Sequence, residues 1–261
     1  MRAARLTLLG TGTSTGVPQI RCDCRVCRST DPADRRTRSS ALLRFADGGP
    51  SILIDATPDL RMQLLRLGSP VIDAALITHS HYDHVGGLDD LRPYCVGHDG
   101  GFPLVCSADV EADLRARIPY CFREVVSPRV PRFAIVRAEP CEPLQVAGVE
   151  ILPLPVVHAG PLIHAYRIGA FGYVTDCKEM PSDTLKRLRG VDTLVINALR
   201  HTPHPTHMNL RQALDVIQEI APRKALITHM SHGIGLHGET SRMLPDGVEL
   251  ASDGMSIDIS V

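Results

Sequence analysis

Short apolar runs recur along the chain, and most of them end at polar or glycine-rich positions. Runs of roughly four to eight apolar residues with such ends predict buried strands. We predict strands at 5–9, 41–46, 51–55, 71–77, 103–106, 133–137, 148–157, 163–168, 173–175, 193–196, 224–228, 248–250 and 255–259. The strands at 41–46 and 51–55 should form a hairpin around Asp47-Gly48-Gly49-Pro50. Apolar residues at helical spacing predict helices at 58–67, 108–118, 180–189 and 210–220, the last of them capped by Asn209.

Imidazoles and carboxylates lie just past several of the predicted strands. His79, His158, Asp176 and His229 are the four instances. Any one of them alone is more often a polar cap or a satisfied core residue than a ligand. Loops at strand ends are, however, where a rigid sheet positions functional side chains. We therefore expect the four to lie close together.

The segment Thr78-His79-Ser80-His81-Tyr82-Asp83-His84 contains three imidazoles and one carboxylate. Both groups are ligands of zinc and similar cations. Residues two apart in an extended segment point the same way, so His79 and His81 can bind one ion. Where the chain turns, Asp83 and His84 can face a second ion. The alternative is a solvated loop that happens to be rich in histidine.

Together with the residues at strand ends, this segment supplies two ion sites. We predict these ligand sets: His79, His81 and His158 for the first ion, Asp83, His84 and His229 for the second, and Asp176 as a bridge. Two divalent ions about 4 Å apart can activate a water and offset charge at a phosphoryl or acyl centre.

A second metal-binding pattern is Cys22-Asp23-Cys24-Arg25-Val26-Cys27. Three thiols this close can surround one side of a tetrahedral zinc ion, and we predict His232 as the fourth ligand. The alternatives are a redox pair or three unused thiols, but a Cys-x-x-Cys redox motif should open a helix, and that context is missing. A bound zinc would hold the loop at about 20–30 in place.

Composition and charge narrow the function classes. The 261 residues suffice for one large domain, which we predict over 1–261, and the net charge of −1 gives no overall attraction to nucleic acid. No apolar run approaches the ~20 residues of a membrane span. Residues 1–9 predict a first strand rather than a signal peptide, so we predict a cytoplasmic protein. The loop at 10–18 lacks the ending of a P-loop and should pack near the active site.

The segment 78–84 resembles the His-x-His-x-Asp-His signature of the metallo-β-lactamase superfamily. The downstream His158, Asp176 and His229 fall in that family's order. The resemblance covers nearly the whole chain. It implies an α/β fold, a four-layer αββα sandwich, with a dinuclear site along one edge of the two sheets.

Four further segments resemble one subgroup, the cyclic ribose-phosphate phosphodiesterases of phosphonate breakdown. They are Gly-Thr-Gly-Thr-Ser-Thr-Gly-Val-Pro at 10–18, the cysteine loop, Thr228-His229-x-Ser231-His232, and Asp253-Gly254-Met255. The subgroup binds a structural zinc through three cysteines and a histidine, which implies this role for Cys22, Cys24, Cys27 and His232. It also places a histidine near the scissile phosphate, and His207 is at the matching position. The additional histidines His164, His201 and His204 depart from the pattern.

The residues and the resemblance together predict a hydrolase of a small phosphodiester, cyclic or linear. The predicted cofactors are two divalent catalytic ions, zinc or manganese or else iron, and one structural zinc. His207 would donate a proton to the leaving oxygen or hold a phosphate oxygen, because the pKa of imidazole is ~6.5. His204 is a weaker candidate for the same role, and Asp83 belongs to the catalytic set. The alternative for His207 is a loop residue hydrogen-bonded to backbone.

Several other functions share the predicted ligands. A lactone, thioester or RNA phosphodiester hydrolase, a pyrroloquinoline quinone biosynthesis protein and an inactive metal-binding scaffold are the alternatives. We find no basic insert for transfer RNA, and the chain ends in strands where glyoxalase-type hydrolases add a helical domain. A small molecule is the expected partner, without membrane or nucleic acid. A homodimer is the expected assembly, since dimers are commonest.

Overall fold

A computed structural model describes residues 2–46, 48–98, 100–123 and 129–261. Within these ranges the chain forms fourteen strands, β1 to β14 in chain order: Ala3–Gly10, Ser40–Phe45, Ser51–Ile54, Ala74–Leu76, Phe102–Cys106, Phe133–Arg137, Leu144–Val146, Val149–Val157, Leu162–Ile168, Phe171–Val174, Thr193–Asn197, Lys224–Thr228, Val248–Leu250 and Ser256–Ser260.

The same ranges contain six α-helices, α1 to α6: Leu60–Arg66, Tyr82–Val85, Ala108–Arg117, Ser182–Leu188, Leu210–Ile220 and His237–Ser241. Short 3-10 helices lie at Pro32–Asp34, Leu88–Cys95, Pro119–Phe122 and His232–Ile234. Asn209 caps α5 as predicted, because its side chain accepts a hydrogen bond from the Gln212 backbone while Gln212 reaches back to the Asn209 backbone. None of the helices in these ranges is long and apolar enough to cross a membrane.

The strands form two seven-stranded mixed sheets. The first has the order β14-β1-β2-β3-β4-β5-β6 and the second β13-β12-β11-β10-β9-β8-β7. In each sheet an antiparallel half, β14 to β3 or β7 to β10, passes into a parallel half. The carboxyl ends of neighbouring parallel strands meet at one edge, which is where loops from different parts of the chain converge.

Three apolar clusters show how the layers are stacked. The first cluster lies between the sheets and contains residues of both, such as Leu43, Ile54, Tyr166 and Val195. The second joins the outer face of the second sheet to α4 and α5, and the third joins the outer face of the first sheet to α1 and α3. Helix, sheet, sheet and helix therefore follow one another, and the prediction of a four-layer αββα sandwich is confirmed.

Most of the predicted elements are present, with bounds that shift by one to three residues. The strand predicted at 71–77 is wrong over its first part, since β4 begins at Ala74 and Val71 is 69% exposed. The short strand β7 was not predicted. The hairpin predicted at 41–55 is present as β2 and β3, with Asp47 at its turn lying outside the described residues.

Candidate active site

Histidines and aspartates from five segments meet at the carboxyl edge of the parallel strands. The loop after β4 and the helix α2 contribute four of them, and the loops after β8, β10 and β12 contribute one each. The seven are His79, His81, Asp83, His84, His158, Asp176 and His229. Their ligand atoms form overlapping groups in which every atom lies within 4.8 Å of the others. The side chains of this set are buried, except that of His81, which is exposed. The structure thus brings together all seven predicted catalytic-metal ligands.

The first group consists of His79, His81 and His158. The Nε2 atom of His79 lies 3.0 Å from the Nδ1 atom of His81. Two nitrogens that are each ~2.0–2.1 Å from one zinc ion lie roughly 3 Å apart. The other ring nitrogens are already engaged, because Nδ1 of His79 contacts the Thr78 hydroxyl at 3.0 Å and Nδ1 of His158 contacts the Thr206 carbonyl at 3.0 Å. The free nitrogens therefore point where an ion would lie.

The second group centres on His84, which is completely buried. Its Nδ1 atom donates to Asp55 Oδ2 at 2.7 Å. Its Nε2 atom lies 3.2 Å from Asp83 Oδ2 and 3.1 Å from Asp176 Oδ2, yet makes no hydrogen bond. A buried lone pair that faces two carboxylates is unfavourable unless a cation lies between them. These residues therefore fit a metal ion.

The electrostatics of the centre indicate the same requirement for positive charge. Burial by itself would lower the pKa of His84, but Asp176, Asp55 and Asp83 together raise it well above the usual value. Burial lowers the pKa of His229 to about 4, so that ring is neutral and able to act as a ligand. The carboxylates around His84 thus favour positive charge at the position where a bound cation would lie.

Asp176 is the residue that connects the two groups. Its Oδ2 atom faces His84 Nε2 and its Oδ1 atom lies 3.1 Å from His229 Nε2, both in the second group. The same carboxylate lies within 4.8 Å of ligand atoms of His79 and His158 in the first group. Its backbone has φ 53°, in the left-handed region that is unfavourable for aspartate. The side chain of Asn197 holds this turn, because it accepts a hydrogen bond from the Cys177 N–H at 2.9 Å and donates to the Cys177 carbonyl at 3.0 Å.

His207 lies in the same centre. Its Nε2 atom is 2.7 Å from Asp176 Oδ1, and its Nδ1 atom is 2.8 Å from the Thr206 hydroxyl. Its ring stacks on that of His229 with centroids 5.1 Å apart. These contacts are with side chains rather than with the backbone. His204 is one step further out, with Nδ1 3.3 Å from His207 Nδ1.

Two other histidines lie away from the centre. The Nε2 atom of His201 contacts the Ile234 carbonyl at 3.0 Å, so this side chain holds the loop that carries His232. His164 is buried on β9, and burial lowers its pKa to about 4. Its ring contacts Tyr166, and its Nδ1 atom has no hydrogen bond partner. It is therefore a neutral core histidine.

The four residues of the cysteine pattern also converge. The Sγ atoms of Cys22, Cys24 and Cys27 lie 3.3, 3.6 and 3.4 Å from Nδ1 of His232. One ring nitrogen cannot form three hydrogen bonds, but a sulfur and a nitrogen bound to the same tetrahedral zinc lie about 3.5 Å apart. Burial raises the pKa of Cys27 to about 11, whereas the N–H of Cys27 lowers the pKa of Cys24. The arrangement fits one metal ion.

Sequence reasoning missed the residues that orient the ligands. Asp55 accepts hydrogen bonds from His84 Nδ1, from the Thr78 N–H at 2.9 Å and from the Thr78 hydroxyl at 2.9 Å. Thr13 of the glycine-rich loop contacts His229 Nε2 at 3.1 Å, so that loop packs beside the site as expected. Asp55 carries the same signal as Asp176, since each is an aspartate just past an apolar strand.

The fold and this centre define a metal-dependent hydrolase. The chain belongs to the metallo-β-lactamase superfamily, since residues 51–230 match the model of the beta-lactamase superfamily domain. A crystal structure described as a new diphosphatase from the PhnP family is 40% identical, with a TM-score of 0.91 over 98% of this chain and 97% of that one. The chain therefore falls in the PhnP-like subgroup, as the sequence resemblance implies.

Two further relatives extend the comparison. An octanoyltransferase of Porphyromonas gingivalis is 40% identical over 252 residues, which are 96% of this chain and 51% of that protein, so this chain spans about half the length of that relative. Zinc-bound PqqB from Methylobacterium extorquens is 20% identical, with a TM-score of 0.78 over 98% of this chain and 100% of that one. At that identity the likeness concerns the fold alone.

Proposed function

We propose that the chain hydrolyses a P–O bond of a small phosphodiester at a dinuclear metal centre. The observation that carries the proposal is the position of Asp176, whose carboxylate lies within 4.8 Å of ligand atoms of His79 and His158 in the first group and of His84 in the second. When bound, two divalent ions would bring the pKa of a water near 7 and offset charge on phosphoryl oxygens. The ions would be zinc, manganese or iron.

The residues around the ions have distinct roles in this proposal. Nε2 of His79, Nδ1 of His81 and Nε2 of His158 would hold the first ion. Asp83 and the Nε2 atoms of His84 and His229 would hold the second, with Asp176 shared. Asp55 and the Thr206 carbonyl keep His84 and His158 in the tautomers that leave these nitrogens free.

His207 would supply the proton for the leaving oxygen. Its Nδ1 contacts the Thr206 hydroxyl, and its Nε2 points at the bridging carboxylate, so a proton at Nε2 lies at the edge of the centre. The side chain is only 12% exposed, which keeps it oriented while leaving it accessible to a substrate. His204, behind it, would tune this group rather than contact the reacting atoms.

Hydrolysis of a diphosphate linkage is the second candidate function. It is favoured by the 40% identity to the diphosphatase structure. The same arrangement of ions and His207 could serve either linkage, because both reactions place negative charge on phosphoryl oxygens. Acyl transfer, named for the P. gingivalis protein, is less favoured, because the match covers about half of that protein and the centre described here is hydrolytic.

The cysteine loop would bind a third metal ion, a structural zinc. Cys22, Cys24 and Cys27 come from one short loop, and His232 comes from the loop after β12 that also carries His229. A zinc ion there would tie the first loop to the second. Its role would be to stabilise the fold rather than to contact the substrate.

Metal analysis combined with a substrate panel tests the proposal. Protein purified without added metal should contain about three equivalents, of which about one resists a chelator. The panel includes cyclic and linear phosphodiesters, nitrophenyl phosphodiesters and nucleoside diphosphates. Turnover of phosphodiesters that stops after chelation and returns with metal supports the proposal. Fully metal-loaded protein that turns over none of them would contradict it.

A further inference from the structure

A cavity of about 250 Å³ opens beside the candidate active site. We call it the α3 pocket. Its walls are the segment after β4, the start of α3 and the loop between β8 and β9 with the start of β9: Thr78, His79, Ser80, His81, Ser107, Asp109, Val110, His158, Ala159, Pro161, Leu162 and Ile163. Because three of the proposed ligands form one wall, any group in the pocket adjoins the reacting centre. The volume is below the ~300–1,000 Å³ of sites that hold a whole small ligand. The pocket therefore suits one arm of a substrate.

The walls of the pocket combine apolar surface with a few polar groups. Leu162, at the rim, is 60% exposed and offers apolar surface that a bound arm can cover. Val110 and Ile163 continue this apolar wall. The polar side chains are the hydroxyls of Ser80 and Ser107 and the carboxylate of Asp109, which can hydrogen-bond to substrate hydroxyls.

The charge of the pocket is set by Asp109. Among the lining residues that the structure describes, none is a lysine or an arginine. The amino end of α3 contributes about +0.5 of an elementary charge, which is less than the full negative charge of the carboxylate. One of the free N–H groups of that helix end, that of Val110, is also already bonded to the Ser107 hydroxyl at 3.3 Å. The guanidinium of Arg117 donates to the Ser80 carbonyl at 2.8 Å but is paired with Asp113 at 2.6 Å, so Asp109 leaves the α3 side of the pocket net negative.

Positive charge near the centre comes from Lys178 and Arg200, which lie on the side of His204 and His207. His207 and His204 face the ligands there, and Lys178 lies nearby, with its amine 3.5 Å from Gln212 Oε1. The pKa of His204 is lowered by burial and by the positive charges of His207, Arg200 and Lys178. A substrate whose phosphate lies toward Lys178 and Arg200 would direct its ester arm into the α3 pocket.

We propose that the α3 pocket binds an uncharged ester arm of the substrate that carries both apolar surface and hydroxyl groups, and that Asp109 selects against an arm with a second negative charge. The inference depends on the phosphodiesterase function proposed above. It names the substrate class within that function, since it favours phosphodiesters with neutral arms over diphosphates.

Two 4-nitrophenyl phosphodiesters test the inference, one with a 3-hydroxypropyl arm and one with a 2-carboxyethyl arm. We expect the wild-type protein, loaded with metal, to prefer the neutral arm in kcat/KM. Asp109→Asn should reduce that preference roughly three- to tenfold, as expected for one exposed charge that lies several ångströms from the charged end of the arm. The preference of the wild type should also fall as salt is raised, because salt screens an exposed carboxylate.

Two variants serve as controls. Asp109→Glu keeps the charge and should keep the preference. Asp215→Asn removes the same charge from the exposed face of α5, away from the α3 pocket, and should leave the preference unchanged. An equal preference in the wild type and Asp109→Asn, with both substrates turned over, would overturn this inference and leave the proposed function intact. No turnover of either ester, nor of any other phosphodiester in the panel above, would instead overturn the proposed function and this inference with it.

Discussion

The cysteine loop and the histidine–aspartate centre both gather metal-binding side chains, but they differ in burial and in their spread along the chain. Three of the four residues of the loop lie within Cys22 to Cys27, and all four are partly exposed. The seven residues of the centre extend from His79 to His229, and most are buried. A local site needs one short loop and one additional contact, whereas the centre needs both sheets to be in place.

The surroundings of the two groups differ as well. In the centre, Asp55 holds Nδ1 of His84, and the Thr206 carbonyl holds Nδ1 of His158. In the loop, the three sulfurs face the histidine, and two of them accept only backbone N–H groups, those of Gln19 at 3.3 Å and Cys27 at 3.5 Å, among the hydrogen bonds of the described residues. Oriented ligands with a hydrogen-bonded outer layer are typical of a reactive site, and a closed tetrahedron is typical of a structural one.

The largest expected effect follows from removing the residue that joins the two catalytic groups. Asp176→Ala should release at least one catalytic ion and lower turnover by about 100-fold or more, because both groups lose a ligand. Elemental analysis and kcat on a phosphodiester measure this. The metal of the cysteine loop should remain. The control Asp192→Ala, which removes a surface carboxylate, should change neither the metal content nor kcat. A variant with full catalytic metal content would contradict the bridging role.

A second variant separates proton donation from metal binding. His207→Ala should lower kcat by about 100-fold, within the usual range for a general acid, while the metal content stays unchanged. His204→Ala should cause a smaller decrease, since that ring lies behind His207. Metal content and kcat are measured on the same preparations. A parallel loss of metal and activity in His207→Ala would show that this residue is a ligand instead.

A third variant tests the side-chain hydrogen bonds that orient the histidines of the centre. Asp55→Asn removes the charge that orients His84 and should weaken catalytic metal binding about 10- to 100-fold. Competition with a chelator of known affinity measures the change. Asp73→Asn is the matched control, because Asp73 precedes β4 and accepts the Ser51 N–H at 2.7 Å within the first sheet. Equal affinities in the two variants would assign Asp55 a purely structural role.

The smallest effect on activity is expected at the cysteine loop. Cys24→Ser should lose one metal equivalent and about 2.7 kcal/mol of stability if the ion is present at 100 times its Kd. For a chain of this size that is a decrease in Tm of roughly 5–10 °C. Catalytic turnover at 25 °C should change little. Cys141→Ser, a half-buried cysteine outside the loop, should lose no metal. A large loss of kcat with unchanged Tm would contradict a structural role for the cysteine loop.

The elements that the sequence predicted well are those whose signal is local. The capping of α5 by Asn209 and the hairpin of β2 and β3 depend on neighbouring residues, and both are present. The strand at 71–77 was predicted too long, because its apolar first residues suggest burial, while the structure leaves Val71 exposed. Burial of a single apolar side chain depends on what packs over it, and a local pattern does not contain that information.

The candidate site divides in the same way. The ligand types and their order follow from the motif at 78–84 and from polar residues at strand ends. The hydrogen bonds that orient the ligands do not follow from the sequence. Asp55 contacts His84, and Thr206 contacts His158, only after distant segments have packed. The α3 pocket likewise forms between a helix start and a loop that lie about fifty residues apart in the chain.

The amino-acid sequence by itself determined the chemistry of this protein: which side chains can bind metal, the segments they follow, and the short cysteine loop that needs only one distant partner. The tertiary structure alone decided which nitrogen of each imidazole is free, how Asp176 connects two groups of ligands, and which charge lines the α3 pocket. The physical reason is that hydrogen bonds and electrostatic fields depend on distances between segments, and those distances are set by the packing of the two sheets.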